Sequence, residues 1–264
     1  MNLQLTNEEI SQMVLDESQK LQTIINENLL YKFAKLHNIS SEYNHFFAKQ
    51  EMVASRAYFP GPKKKYALEI INLKGVPVQE AERKGLITQR SDYSALTKER
   101  IGQILDLLVK HDKVDFKEIK RVIEETREEL LALIIQGSKT IARPVSFKKD
   151  LDDYKGLPQH IKAMNLWNSL EYDHFHMGIR GYLFRIDGID PYQAPPHIVE
   201  KLSKVDVGNC IAIPAEMEFL PSYYKIDVES SIAFSWDDRV LELLQPVANR
   251  VYNRKKEINE IMTW

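Results

Sequence analysis

The sequence predicts an α+β chain in two parts: a helix and a β-hairpin within residues 1–84, then a mainly helical region at 85–264 with a few short strands. Three observations predict it. Apolar residues between Asn7 and His37 recur at steps of three and four, the helical period. From Phe46 to Val78 the pattern changes to strand-like runs separated by turn residues. Beyond Gly85 the helical period returns, with only brief strand-like runs.

The first stripe consists of Ile10, Met13, Val14, Leu21, Ile24, Ile25, Leu29, Leu30 and Phe33, with Asp16 the point at which the helix would break. FFAKQEMVA then reads as a strand and FPGP as a turn. KKKYALEIINLKGV reads as strand, tight turn at Lys74-Gly75, and strand. Three consecutive lysines at its start are unusual, because lysine is a poor strand former. Leu96, Ile101, Ile104, Leu105 and Leu108 mark one helix of the second part; Phe116, Ile119, Ile123, Leu130 and Ile134 mark the next. HDK at 111–113 joins them as a helical hairpin, and Gly137 stands where a C-terminal cap belongs. A loop around Arg143-Pro144 leads to a helix near His160–Glu171. Strands are expected at Arg180–Ile186 and Cys210–Ile213, and a last helix at 230–258 kinked by Pro246.

Composition bounds the function only loosely. Hydrophobic residues at 44% and charged residues at 28% describe a globular chain, and a net charge of −2 neither favours nor excludes nucleic acid. The single cysteine, Cys210, excludes an internal disulfide and a multi-thiolate zinc site. No apolar run approaches the roughly 20 residues of a membrane helix, and the polar start MNLQLTNEE is unlike a signal peptide, so a cytoplasmic location is expected.

Glu51 followed by Lys63-Lys64-Lys65-Tyr66 is the sharpest local signal. On a strand, alternation would put Lys64 and Tyr66 on one face and Lys63 and Lys65 on the other. An ammonium beside a phenol suits a nucleic-acid groove, where every base pair offers acceptors on its minor-groove side. A solvated lysine run protecting a sheet edge is the competing reading.

The stretch FFAKQEMVA…GPKKKYALEI resembles the segment that follows the last catalytic motif in family B DNA polymerases, notably the phage replicative type, with its palm glutamate and Lys-x-Tyr motif. KGLITQRSDYSALTKE (84–99) resembles the junction from palm to thumb. GLPQHIKAMNLWN (156–168) and NCIAIPAEMEFLP (209–221) are similar to two thumb segments, and the four blocks occur in the family's order. The resemblance implies a palm end at 1–84 and a thumb at 85–264. It also implies minor-groove contact near the primer end by Lys64 and Tyr66, flanked by Lys63 and Lys65. Glu51 would be the auxiliary carboxylate near the catalytic metals, although Lys49 stands where the family often has aspartate. Gln89, Arg90 and Ser91 would bind primer phosphates, and His160, Lys162, Trp167 and Arg180 would touch the duplex backbone. Trp167, at helical spacing from Met164, fits a core position equally well.

The family's metal-binding motifs D-x-x-S-L-Y-P and D-T-D do not occur here. Two-metal nucleotidyl transfer needs those carboxylates. Asp152-Asp153 and Asp237-Asp238 carry no motif around them and read as surface acids, while Lys162, Asn168 and Ser169 have the wrong spacing for the fingers motif. No phosphate loop or H-E-x-x-H helix is present, and His174 and His176 would need further ligands to hold a metal. The start at Met1, just past the position of the last aspartate motif, leads to the expectation of a split polymerase. Its magnesium ions would be bound mainly by a partner fragment that carries the aspartates, and its substrate would be primer–template DNA. A stand-alone DNA-binding module, an inactive remnant and a helical adaptor are the alternatives. IMTW at 261–264 occupies the place of a sliding-clamp peptide, or packs back on the thumb.

Overall fold

The computed structural model describes residues 6–90, 93–110, 114–146, 148, 154, 156–171, 175–176 and 178–251. The expectations for Ser91, the HDK junction, the Asp152-Asp153 pair, His174 and the tail 261–264 lie outside these residues. The fold is α+β, as the sequence predicts, with antiparallel pairing throughout. The chain forms two compact units: residues 1–59 with 66–84, and residues 60–65 with 85–264.

The first unit opens with helix α1 (Asn7–Thr23), which continues as a π-helical segment, Ile24–Leu30, and helix α2 (Tyr31–Leu36). Thr6 and Glu9 form a reciprocal capping box: the Thr6 hydroxyl accepts from the Glu9 amide at 3.2 Å, and the Thr6 amide donates to the Glu9 carboxylate at 2.7 Å. No break occurs at Asp16; the irregularity is the π turn, where the apolar stripe changes phase. Strands β1 (Met52–Tyr58), β2 (Tyr66–Leu73) and β3 (Val76–Lys84) make an antiparallel sheet in that order. Residues Phe46–Glu51, read as strand, instead run alongside the helix. Asn26 substitutes for a strand partner there, accepting from the Ala48 amide at 2.7 Å and donating to its carbonyl at 2.9 Å. The Gln22 side chain accepts from the Gln50 amide at 3.0 Å. The predicted turn at Lys74-Gly75 is present, with both residues left-handed (φ 53° and 88°) as a tight hairpin requires.

In the second unit, helices α3 (Ala95–Val109) and α4 (Phe116–Ile135) pack together. Ser94 caps α3 and Asp115 caps α4, each accepting backbone amides of the first turn. Gly137, with φ 69°, ends α4; the Ser138 amide reaches back to the Leu133 carbonyl at 3.0 Å, closing the Schellman pattern. Arg143–Ser146, expected as loop, is strand β4. It pairs with β5 (Arg180–Ile189), which pairs in turn with β6 (Cys210–Pro214); a short β7 (Tyr224–Ile226) lies along the other half of β5. Helix α5 (Gln159–Leu170) covers β6, and the small α6 (Pro196–Leu202) packs on α5. The last helical stretch consists of α7 (Val228–Ile232), a π turn at Ala233–Asp237, and α8 (Asp238–Val251). Pro246 lies inside α8 as predicted. The core brings Ile101, Ile104 and Leu105 together with Ile119, Leu130, Ile134, Ile161, Met164 and Trp236, all essentially inaccessible to water.

Candidate nucleic-acid interface

The three lysines do not alternate along a strand. Strand β2 starts at Tyr66, and Lys63–Lys65 form the turn before it, with Lys64 left-handed at φ 64°. The reading that aligned Lys64 with Tyr66 on one strand face is therefore overturned, because alternation requires extended backbone and Lys64 has none. The turn is held from the other end of the hairpin. Gly85 is also left-handed (φ 65°), and a Cβ there would fall 2.5 Å from the Lys64 carbonyl oxygen. Lys63 and Lys64 are exposed. Lys65 is half-buried and bonded to Glu242 on α8 at 2.6 Å, so its charge is already matched within the protein.

Glu242 also accepts from Arg239 at 3.0 Å. The Lys65 hydrogen bond foremost, then the charges of Lys65, Arg239 and Arg90, hold the Glu242 carboxyl below the usual carboxylate range, against the opposing effect of burial. Arg90, expected as a phosphate ligand, is exposed just past the short 3₁₀ turn Ile87–Gln89, which contains Gln89. Its guanidinium lies 5.4 Å from the centre of the Tyr93 ring. Tyr93 stacks nearly parallel on Phe234 (15°, 6.0 Å), Arg185 sits 5.1 Å from the Phe234 ring, and Arg239 is within 6 Å of both rings. The sequence reading brought out Arg90 but missed Tyr93, Arg185, Phe234 and Arg239, which come from four separate elements. The result is a cluster of guanidinium groups laid on two stacked rings, in which Arg90 is exposed, Arg185 and Arg239 are half-buried, and Arg239 is already paired with Glu242.

On α5, His160 is half-buried and Lys162 exposed. Burial first, then the charges of Arg143 and Lys148, keep His160 below the ordinary histidine range. Neutral in the folded protein and protonated when unfolded, it contributes stability above pH about 6.5 that fades as pH falls through that value toward its folded pKa. We expect the stability advantage of the wild type over His160→Gln to shrink between pH 7.5 and 5.5 in urea unfolding. An advantage that is constant over that range would show that His160 does not titrate as described.

Arg180 is exposed at the start of β5. Trp167 belongs to the core, the second of its two readings: it is 2% exposed and stacks on Tyr224 at 6.3 Å, which leaves no ring surface for a duplex. In the first unit, the Tyr66 hydroxyl donates to Glu82 at 3.0 Å and the Lys84 ammonium lies 5.9 Å from its ring. Glu51 is exposed immediately before β1, its carbonyl accepting from the Lys74 amide at 2.7 Å. Among the described residues no group of three His, Cys, Asp or Glu is arranged to hold a metal ion, and Glu51 alone does not fit a magnesium site. No helix among the described residues is long and apolar enough to cross a membrane.

The geometry defines a class: an α+β chain whose second unit gathers one exposed and two half-buried arginines around a pair of stacked aromatic rings. Sequence relatives narrow it. The chain is 27% identical over 233 residues to a DNA polymerase of Thermococcus sp. (strain GE8), covering 88% of this chain and 11% of that protein. It is 27% identical over 196 residues to a DNA polymerase of Thermococcus sp. (strain 9oN-7), covering 74% of this chain and 21% of that protein. No family model matches. A solved family B DNA polymerase from the archaeon Pyrobaculum calidifontis is similar with a TM-score of 0.46 and 17% identity, over 88% of this chain and 25% of that one. The two Thermococcus relatives agree with the resemblance to a DNA polymerase, and the chain spans between a tenth and about a fifth of their length.

Proposed function

We propose that this chain is the C-terminal part of a split DNA-directed DNA polymerase. It would grip primer–template duplex and complete the palm for nucleotidyl transfer, with the catalytic aspartates supplied from a partner polypeptide. The observation that carries this reading is the DNA-polymerase likeness over 88% of the chain, in a sequence that has neither D-x-x-S-L-Y-P nor D-T-D. Magnesium ions would be held by the partner's aspartates, where they would supply charge stabilisation, and Glu51 would stand near them only as an auxiliary carboxylate. Lys63 and Lys64, exposed on the turn, and Arg90, Lys162 and Arg180, exposed on the second unit, are the groups offered to phosphates. Such a grip depends on salt and hardly on sequence.

A partner surface is also supported by the first unit. Along α1 and into the π segment, Ile10, Met13, Val14, Leu21 and Ile24 share one helical stripe and are each 44–56% exposed, which is costly in water. In this proposal the partner fragment covers them, in the cytoplasm of the cell or of a viral host. A sliding clamp at the C-terminal tail is a further proposed partner, and deleting residues 258–264 without changing the response to clamp would reject it.

Primer extension with magnesium tests the assignment, using this chain, the fragment bearing the aspartates, and both co-expressed. Extension is expected only from the mixture, and Lys64→Ala with Tyr66→Ala should reduce it at least tenfold. Extension by this chain alone overturns the division of labour. No extension from a verified, soluble complex leaves a DNA-binding module or inactive remnant as the better account.

A further inference from the structure

Lys63 and Lys64 are exposed, whereas Lys65 is committed inside the second unit, and its commitment bears on the other two. The Glu242 carboxylate is shared: one oxygen accepts from the Lys65 ammonium at 2.6 Å and the other from Arg239 at 3.0 Å. Arg239 and Glu242 stand three residues apart on α8, so they share one face of that helix. Arg239 in turn lies within 6 Å of the Tyr93 and Phe234 ring centres. One carboxylate therefore ties the lysine turn to the arginine–aromatic cluster, across 177 positions of sequence.

The seat of the turn makes that bond matter. Pro60 and Lys65 of the turn, Leu86 and Ile87, Ile101 of α3 and Leu243 of α8 border a gap of about 20 Å³, with room for about one water. Apolar packing of this kind holds the turn down but is non-directional. A hydrogen-bonded ion pair has direction. Both of its members are half-buried, where salt screens them less than at the surface. Lys64, next in the chain, is left-handed and confined at its carbonyl by Gly85. With Lys65 fixed and that carbonyl confined, the directions in which Lys63 and Lys64 leave the turn are set.

We propose that Glu242 is a positioning residue of the grip: by holding Lys65 it orients the turn so that Lys63 and Lys64 reach phosphates, without itself binding DNA. The inference rests on the reading of Lys63 and Lys64 as phosphate ligands. Charge separates this role from a general electrostatic one. E242Q removes a negative charge, which by charge alone strengthens duplex binding; K65M removes a positive charge, which by charge alone weakens it. If Glu242 positions the turn, both weaken it.

The full chain and its variants E242Q, K65M, K63A/K64A and E242Q/K63A/K64A are titrated with a duplex of about 20 base pairs across a salt series. K63A/K64A is expected to lower the log–log salt slope by about 2, roughly 1 for each lost phosphate contact. E242Q and K65M are each expected to bind about threefold or more weakly than the wild type at about 100 mM salt. In the K63A/K64A background E242Q is expected to cause no further weakening, because the lysines it orients are gone. Unchanged or tighter binding by E242Q in the otherwise wild-type chain overturns the proposal. Equal weakening in both backgrounds also overturns it, since damage to the unit as a whole does not depend on the two lysines. Thermal unfolding checks each variant, and where E242Q does not fold, K65M taken through the same cycle decides by the same criterion. A wild type that binds no duplex, or K63A/K64A binding as the wild type does, refutes instead the reading on which the inference rests, and the proposal falls with it.

Discussion

Replacing Trp236 by alanine is expected to cost about 3–5 kcal/mol, a large share of the roughly 5–15 kcal/mol that holds a typical domain folded. The indole is 0% exposed, and its Nε1 donates to the Ile123 carbonyl of α4 at 3.2 Å. Truncation leaves a cavity the size of two fused rings and an acceptor without its donor, two penalties that add. Neighbouring bonds fix the same turn: Arg127 of α4 reaches Asp237 at 3.1 Å, and the Thr97 hydroxyl donates to the Ser235 carbonyl at 3.3 Å. Asp237, read from the sequence as half of a surface acid pair, is thus a partly buried structural partner. Urea unfolding followed by circular dichroism measures the effect. A loss below about 1 kcal/mol would mean that the site collapses around the missing ring, contrary to the packing described.

How much of the structure is legible in the sequence depends on whether the determining contacts are local. Helices α3, α4 and α5 are legible because their apolar steps follow a regular period and the first two carry Ser94, Asp115 and Gly137 at their ends. The π turns at Ile24–Leu30 and Ala233–Asp237 are not, since one inserted residue shifts a stripe without altering its composition. The lysine run misleads for a related reason. Lysine does not announce a left-handed backbone, and Lys64 adopts one because Gly85, 21 positions later, leaves room for its carbonyl. For the site, exposed basic residues in recognisable blocks can be picked out, as Arg90 and Lys162 are. Arg185, Phe234 and Arg239 cannot. Their meaning comes from Tyr93, which lies 92 to 146 positions away and meets them only once the sheet and the last helices have packed. A half-buried arginine looks the same in sequence whether it lines a cleft or covers a core.

Gly181→Ala is the second substitution expected to have a large effect, and it connects the sheet to the proposed grip. Gly181 has no left-handed φ, so glycine is required there by space alone. A Cβ would lie 2.6 Å from the Ile213 carbonyl oxygen on β6 and 2.6 Å from the Phe175 ring, closer than packed atoms tolerate. Neither neighbour can yield easily. Ile213 is fully buried in the β5–β6 ladder opposite Tyr182, and Phe175 is 4% exposed with its backbone held on both sides by the Asn168 amide. Relief must come from parting β5 and β6, at an expected cost of about 1–3 kcal/mol. The consequence for function follows from what β5 carries: Arg180 stands one residue before Gly181, and Arg185 four residues after it. A displaced β5 moves both cations together, so duplex affinity should fall at least several-fold in a variant that still folds, with Lys63, Lys64, Arg90 and Lys162 left to supply the residual binding. Thermal unfolding and a duplex titration on the same sample decide it. Wild-type stability with weakened binding would mean that the added methyl perturbs the grip without parting the sheet, and wild-type values in both would show that β5 and β6 are not in the register described.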